Sequence, residues 1–273
     1  MSFLFKSSPP PPPPPPKIVR GTPLAALLNT RTLVSLGFVG GLVLGAYVLK
    51  AVFLPAHLSR SAKYRRIFLW LAFDGLCHLI LEGSFLYLST FGRTVNASRS
   101  FMAYMWQDYS RADVRWGISD PTVVALEILT VLGAGPLALY TAYLLAKEDG
   151  RYHYWAIVLS TAELYGGEQR AKIRDSVLTF GSAILIDTME SFEISGFMTF
   201  APEWLTGNKG LNGSNWVLLY VYLWFMNMIW VVIPVYLMVD SYGYLARALK
   251  SAPASDGSVV ASSASKKKAS KSQ

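Results

Sequence analysis

Four long apolar runs constrain this chain more than any other feature, and they lie near residues 31–54, 67–91, 121–146 and 215–240. A helix needs roughly 20 mostly apolar residues to cross about 30 Å of hydrocarbon, so each run predicts a transmembrane helix. The composition agrees, since 52% of the residues are hydrophobic and 15% are charged, against about 25% charged in soluble domains. We therefore expect an all-α integral membrane protein.

A fifth span is interrupted. The apolar stretch "YHYWAIVLSTAELYGG" at 152–167 is short for a crossing and is followed by a charged stretch at 168–195, after which "GFMTFAPEWLTG" is apolar again. Joined together, the two apolar pieces are long enough to span. The predicted fold is a bundle of about five transmembrane helices, with residues 168–195 as an insertion or a retained intron.

The two ends of the chain differ from this membrane domain, which we place at residues 29–248. Residues 1–28 are rich in proline and residues 249–273 are rich in serine and lysine, so both are expected to be disordered. Five spans put the basic loop "HLSRSAKYRR" and the basic tail on one side, and the positive-inside rule makes that side cytosolic. The net charge of +8 then favours an anionic leaflet over nucleic acid as a partner.

Ionisable residues inside the predicted spans mark a candidate site. The second span carries Asp74, His78 and Glu82, four residues apart and hence on one helix face. Charged groups at mid-membrane are costly and usually face a bundle interior. The stripe is predicted to line such an interior.

Two further spans carry similar patches, Glu127 with Thr130 on the third and Asn227 with Trp230 on the last. Each pair has an ordinary structural explanation, such as a satisfied hydrogen bond, routine packing or helix association through polar contacts. Two glutamates and a histidine together exceed what helix association requires. The combined set therefore predicts a functional cavity.

The chemistry of such a cavity follows from its groups. A carboxyl group in apolar surroundings can hold a proton at neutral pH and act as a general acid, and an imidazole can relay or accept one. An aromatic face attracts a cation. The set suits protonation of an alkene, stabilisation of the carbocation and removal of a different proton, which is an isomerisation that needs no metal or other cofactor.

Five segments in order, "CHLILEGSF", "WQDYSRADVRW", "EILTVLGAGPLALY", "ELYGG" and "FMNMIWVVIP", resemble the emopamil-binding protein family, which are membrane sterol isomerases with an EXPERA-type domain. The resemblance covers about residues 30 to 245 apart from the interruption. It implies a sterol-sized cavity and a shift of the ring double bond from C8–C9 to C7–C8. It also implies an endoplasmic reticulum location, a place in ergosterol-type sterol biosynthesis and binding of cationic amphiphilic drugs.

The resemblance also assigns roles to residues. His78, Glu82 and Glu127 are the expected catalytic groups, with Glu82 and His78 acting on one proton and Glu127 on the other; which of them donates stays open. Thr130, Asn227 and Trp230 are expected to contact the substrate and stabilise the cation, and Asp113 and Arg115 to help close the cavity. Asp74 departs from the family pattern and is a candidate partner that orients His78.

Several alternatives stay open at this point. The chain could be a non-catalytic sterol-binding or sterol-trafficking relative with the same architecture. The expected partner is a sterol within the bilayer, with a homodimer as an option and no nucleic acid. The preferred sterol and the oligomeric state are not fixed by the sequence.

The interruption makes a prediction about the transcript. Gly167–Glu168 can be encoded by a sequence containing GTGAG and Ser195–Gly196 by one ending in CAGG, the letters expected at intron borders, so a retained intron is favoured over a genuine insertion. Sequencing of transcripts across codons 167 to 196 should then find messages that lack the intervening codons. Transcripts that all carry these codons would establish a translated insertion that splits the span.

Overall fold

This computed structural model describes residues 30–165, 207–213 and 215–251. The regular structure of these residues is helical. The elements are α1 Thr30–Phe53, α2 Ala56–Arg60, α3 Ala62–Ser89, α4 Phe101–Tyr109, α5 Val114–Ile118, α6 Pro121–Ala146, α7 Arg151–Tyr165 and α8 Leu218–Ser251. One 3₁₀ turn, Val95–Ala97, precedes α4. The predicted all-α class is confirmed.

The four apolar runs form helices α1, α3, α6 and α8, each long and apolar enough to cross a membrane. The fifth predicted span coincides at its start with α7, whose 15 residues precede the interruption. The predicted insertion at 168–195 lies outside the described residues, as do residues 1–28 and the tail beyond 251. The predicted sterol-sized cavity stays a prediction.

The helices pack in a defined order. Helix α7 packs against α8 and against the second half of α6, and α3 packs against that same half of α6 and against α1. Small side chains at the contacts, such as Ala72, Ala138 and Ala156, are buried beside Leu71 and Leu159. Small residues let membrane helices approach closely, so the core is built from alanine facing leucine.

Each end of the bundle is fixed by a contact between distant segments. At one end, Lys63 forms a salt bridge with Asp240, so the loop around α2 and the second half of α8 lie together, as predicted from the basic segments. At the other end, the loop end, Thr32 donates to Asp108 at 3.1 Å and Tyr222 donates to the same carboxylate at 2.7 Å. The cytosolic orientation of the basic end stays a prediction.

Capping residues explain where the loop-end helices begin. Ser100 accepts from the Ala103 amide at the start of α4, and Asp113 accepts from the Arg115 amide at the start of α5. Helix α6 follows an Asp120 cap with Pro121 in its first turn, where proline costs no hydrogen bond. Side-chain oxygens at these positions satisfy amides that the helix leaves unpaired.

Aromatic packing and a short backbone pairing complete the loop end. Trp106 and Trp116 stack with centroids 4.9 Å apart, and Phe85 packs against both. The Asn212 amide donates to the Ala112 carbonyl at 2.8 Å, which ties residues 207–213 to the loop between α4 and α5. The loop that ends at Asp113, and the start of α5 that carries Arg115, are thus held from two sides.

The buried Asp113–Arg115 ion pair yields a prediction, because an exposed copy of it occurs in the same chain. In both the Asp113–Arg115 pair and the Asp149–Arg151 pair, the guanidinium donates through Nε and Nη2 to an aspartate two residues earlier, with the shortest contact 2.6 Å. Arg115 is 6% exposed, so Asp113→Asn should cost about 3 kcal/mol.

Cys77, the single cysteine and a buried one, reports unfolding when a maleimide dye labels it on heating. Asp113→Asn should lower the labelling midpoint clearly, and Asp149→Asn should leave it unchanged. Equal midpoints for Asp113→Asn and wild type would show that the buried pair does not hold the loop end.

Candidate functional site

Three π-helical segments interrupt the long helices at the predicted site. They are Cys77–Glu82 in α3, Thr130–Ala134 in α6 and Leu218–Phe225 in α8. π-Helical segments are rare in proteins, and those that occur are often found at functional sites. The first holds His78 and Glu82, the second begins at Thr130, and the third ends two residues before Asn227. The segments in α3 and α6 pack against each other.

The predicted residues of α3 and α6 form one connected row. His78 Nδ1 lies 2.6 Å from Glu82 Oε2, and Thr130 Oγ1 lies 2.6 Å from that same oxygen and 3.2 Å from Glu127 Oε2. A hydroxyl has one proton, so Thr130 can donate to one of these carboxyl groups and must accept from the other. If both contacts are hydrogen bonds, one of the two carboxyl groups, Glu82 or Glu127, must therefore be protonated.

Asp74 extends this row on the far side of His78. Its Oδ1 lies 3.2 Å from His78 Nε2, an ion-pair contact without hydrogen-bond alignment, and accepts from Trp230 Nε1 at 2.8 Å. Carboxyl groups therefore face both ring nitrogens of His78. We call the residues Glu127, Thr130, Glu82, His78 and Asp74 the polar row.

Close helix approach buries three residues of the polar row. Asp74 is 0% exposed, and His78 and Glu127 are 3% exposed each. A Cβ built on Gly135 of α6 would lie 3.0 Å from the His78 Cβ, and one on Gly75 would lie 2.6 Å from Leu139. Helices α3 and α6 can approach this closely because these two positions lack side chains.

Trp230 joins the row through Asp74 and also belongs to an aromatic group. Its ring lies 5.5 Å from the Trp70 ring and 6.3 Å from the Phe73 ring. Trp70 and Phe73 were not among the predicted site residues. Trp70 lies one turn before Asp74 on α3 and Phe73 directly before it. In a sequence this rich in aromatic residues, their positions carried no distinct signal.

Asn227 lies apart from the carboxyl groups in its hydrogen bonding. Its Nδ2 donates to the Leu223 carbonyl at 2.6 Å and to the Tyr109 hydroxyl at 3.3 Å. Burial raises the pKa of the Tyr109 phenol well above its usual range, so this hydroxyl stays protonated and remains a donor. Asn227 therefore connects α8 to the loop end.

Asp113 and Arg115 lie in the cap at the loop end and bind each other. They are outside the polar row, and their predicted role in closing the cavity stays a prediction.

Glu163 of α7 is the polar residue that the sequence reasoning missed. The ligand atoms of Asp74, His78 and Glu163 all lie within 4.8 Å of one another. The available signal was a carboxylate in the apolar run "AIVLSTAELYGG", comparable to the signals at Glu82 and Glu127. Among the described residues, these three also form a group that could hold a metal ion.

The comparison with protein families matches this chain to EXPERA (EXPanded EBP superfamily) over residues 101–171 and 168–241. The two matches together cover residues 101–241, more than half of the chain. They include Glu127, Thr130 and Glu163 of the site as well as Asn227 and Trp230.

Named relatives are similar over part or most of the chain. A protein from Mus musculus named 3-beta-hydroxysteroid-Delta(8),Delta(7)-isomerase is 26% identical over 77% of this chain and 76% of its own length. The Cavia porcellus protein of that name is 23% identical over 73% of this chain and 74% of its own length. An Arabidopsis thaliana protein named "Probable 3-beta-hydroxysteroid-Delta(8),Delta(7)-isomerase" is 32% identical over 39% of this chain. The match spans 48% of that plant protein, about half its length.

The contact between Gly135 and His78 yields a prediction with an internal control. Gly135→Ala places a methyl group 3.0 Å from the His78 Cβ, and such overpacking costs about 1–3 kcal/mol. Gly133→Ala, two residues away, has no atom within 4 Å of the added Cβ. Thermal unfolding, followed by labelling of Cys77, should begin at a lower temperature in Gly135→Ala alone. A Gly135→Ala protein as stable as Gly133→Ala would show that the two helices are not in close contact at His78.

Proposed function

Because this chain belongs to the EXPERA family, the expanded EBP superfamily, we propose that it is a sterol isomerase that shifts a ring double bond from C8–C9 to C7–C8. The two mammalian relatives align over about three quarters of their own length, and both are named 3-beta-hydroxysteroid-Delta(8),Delta(7)-isomerase. These names support the proposed reaction. The observation that carries the proposal is the polar row itself, two glutamates bridged by one hydroxyl with an imidazole beside them.

The reaction needs one group that donates a proton and one that accepts a proton. The donor adds a proton to C9, the electrons of the C8–C9 double bond form the new C9–H bond, and C8 becomes a carbocation. The acceptor then removes a proton from C7, and the electrons of that C–H bond form the C7–C8 double bond. No oxidant or reductant is consumed. We assign Glu82 with His78 to one proton and Glu127 to the other.

The Thr130 hydroxyl gives the site a route to reset itself. After one turnover the donor has lost a proton and the acceptor has gained one. Thr130 Oγ1 contacts both Glu82 and Glu127, so it can donate to one carboxylate while it accepts from the other carboxyl group. The starting protonation state is restored without exchange with water.

The cationic intermediate would be stabilised from α8 and by the carboxylates. Trp230 presents an aromatic ring fixed by its bond to Asp74, and aromatic faces attract cations by about 0.5–2 kcal/mol. Asn227 contributes a side-chain dipole in this assignment. A protonated amine resembles the carbocation in charge, so cationic amphiphilic molecules are the expected inhibitors.

We place the enzyme in the endoplasmic reticulum membrane with its basic end in the cytosol, acting in ergosterol-type sterol synthesis. The basic loop near α2 and the C-terminal half of α8 at one end support this orientation. The apolar substrate would enter from the bilayer. Non-catalytic sterol binding is the competing function, and it does not require two bridged glutamates.

Complementation of a yeast strain that lacks sterol C8 isomerase tests the proposed reaction. Both the full chain and a version lacking residues 168–195 should be expressed, and the sterols should be measured by mass spectrometry. At least one version should convert the accumulated C8 sterol to the C7 isomer. Binding of labelled sterol without conversion by either version would favour the non-catalytic function.

Substitution of the two glutamates tests their roles. Glu82→Gln and Glu127→Gln preserve shape but remove the exchangeable proton, so each should lower turnover by at least about 100-fold. The control Glu148→Gln makes the same change at an exposed side chain and should have wild-type turnover. Protein level, measured by immunoblot, should be alike in all three. Near-normal turnover in both Glu82→Gln and Glu127→Gln would place the chemistry elsewhere.

A further inference from the structure

A second pair of acidic residues lies on the other side of His78 from Glu82. Asp74 of α3 and Glu163 of α7 have carboxyl oxygens within 4.8 Å of each other and of a His78 ring nitrogen. The proposed reaction, as described above, uses Glu82 and Glu127 and assigns no proton to Asp74 or Glu163. Their presence in an apolar bundle therefore needs its own explanation.

The oxygens of this pair are buried and largely without hydrogen bonds. Asp74 is 0% exposed, and its Oδ2 and both Glu163 oxygens are buried with no hydrogen-bond partner within the described part of the chain. A buried ionised carboxylate without partners is strongly unfavourable. Two carboxylates close together cannot both ionise readily, and such pairs hold one proton between them.

The charges around His78 lead to the same conclusion. Four carboxyl groups, from Asp74, Glu82, Glu127 and Glu163, lie in the site, and His78 is the basic side chain that contacts them among the described residues. One imidazolium balances one negative charge. The remaining negative charge is reduced when the four carboxyl groups carry protons in two pairs, one on each side of the ring.

We propose that Asp74 and Glu163 share one proton and together form the counter-charge of a protonated His78. In this arrangement they are positioning residues for the proposed isomerase, and the inference rests on that proposed function. With His78 balanced from the Nε2 side, the Glu82–Glu127 pair is free to exchange its own proton with the substrate. Asp74 also fixes Trp230 by accepting its indole N–H.

A metal ion is the competing explanation for this cluster. Zinc binds nitrogen and oxygen ligands at about 2.0–2.2 Å, so two ligands of one ion lie at most about 4.4 Å apart. The Asp74, His78 and Glu163 atoms lie within 4.8 Å of one another, a limit that both explanations satisfy. The charge balance around His78 favours the shared proton, and metal content becomes an outcome of the test.

The double variant Asp74→Asn/Glu163→Gln tests the counter-charge. It removes both carboxyl groups, and asparagine keeps an oxygen that accepts from Trp230, so the negative charge is lost while that contact is preserved. The titratable groups that face His78 are Asp74, Cys77, Glu82, Glu127 and Glu163. Loss of the counter-charge makes the imidazolium less stable, so the alkaline limb of the turnover profile should move to lower pH by about one unit or more.

Glu163→Gln tests the shared proton separately, because this variant removes the proton of the pair but keeps its negative charge. The glutamine amide can donate to Asp74, which then remains a carboxylate, so the alkaline limb should stay at its wild-type position. Of the two infrared carbonyl bands expected from the two protonated acid pairs, one should be lost in this variant and in Asp74→Asn, and both should be retained in the exposed control Glu148→Gln. An unmoved alkaline limb in the double variant Asp74→Asn/Glu163→Gln would overturn the counter-charge. An unchanged infrared spectrum in Glu163→Gln would overturn the shared proton.

Three further readouts keep the outcomes distinct. Size-exclusion chromatography in detergent shows whether each variant is folded, and a purely structural role would lower the folded yield without moving the pH limb. Elemental analysis of the wild-type protein that found one divalent metal per chain, lost in Glu163→Gln, would replace the acid pair by a metal site. If the wild-type chain converted no C8 sterol, the proposed function would fail, while the infrared comparison would still decide whether the proton is shared.

Discussion

The contacts of His78 with carboxyl groups on both sides of its ring are the constraint on which the site depends. Glu82 bonds to Nδ1 at 2.6 Å and Asp74 lies 3.2 Å from Nε2, within a segment where the ring is 3% exposed. An uncompensated charge at this depth would be costly. The proton positions, the aromatic partner Trp230 and the packing of α3 on α6 must all be compatible with this row.

The fold meets that constraint by local departures from regular helix geometry. The π-helical segments in α3 and α6 meet at the row, and Gly135 leaves room for the His78 side chain. At the loop end, the Asp113–Arg115 pair fixes the start of α5. The site is thus built from rigid transmembrane elements, which can hold donor and acceptor groups at fixed distances.

Sequence reasoning identified the row because its physical basis is local. The four-residue spacing of Asp74, His78 and Glu82, and the proximity of Thr130 to Glu127, are visible along single helices. Contacts between distant segments could not be derived in the same way. Nothing in the spacing indicates that Trp230 bonds to Asp74, that Asn227 turns to Tyr109, or that Glu163 approaches His78, because each depends on how separate helices pack. Glu163 carried a usable signal as a carboxylate in an apolar run.

In the proposed arrangement, His78 is a protonated ring held between two acid pairs. Nitrogen-15 NMR of protein labelled at its three histidines measures this directly, with His78 assigned by its loss in His78→Gln. Both ring nitrogens of His78 should carry protons at neutral pH, with one signal shifted by the short bond to Glu82. A His78 spectrum with one unprotonated ring nitrogen would contradict it.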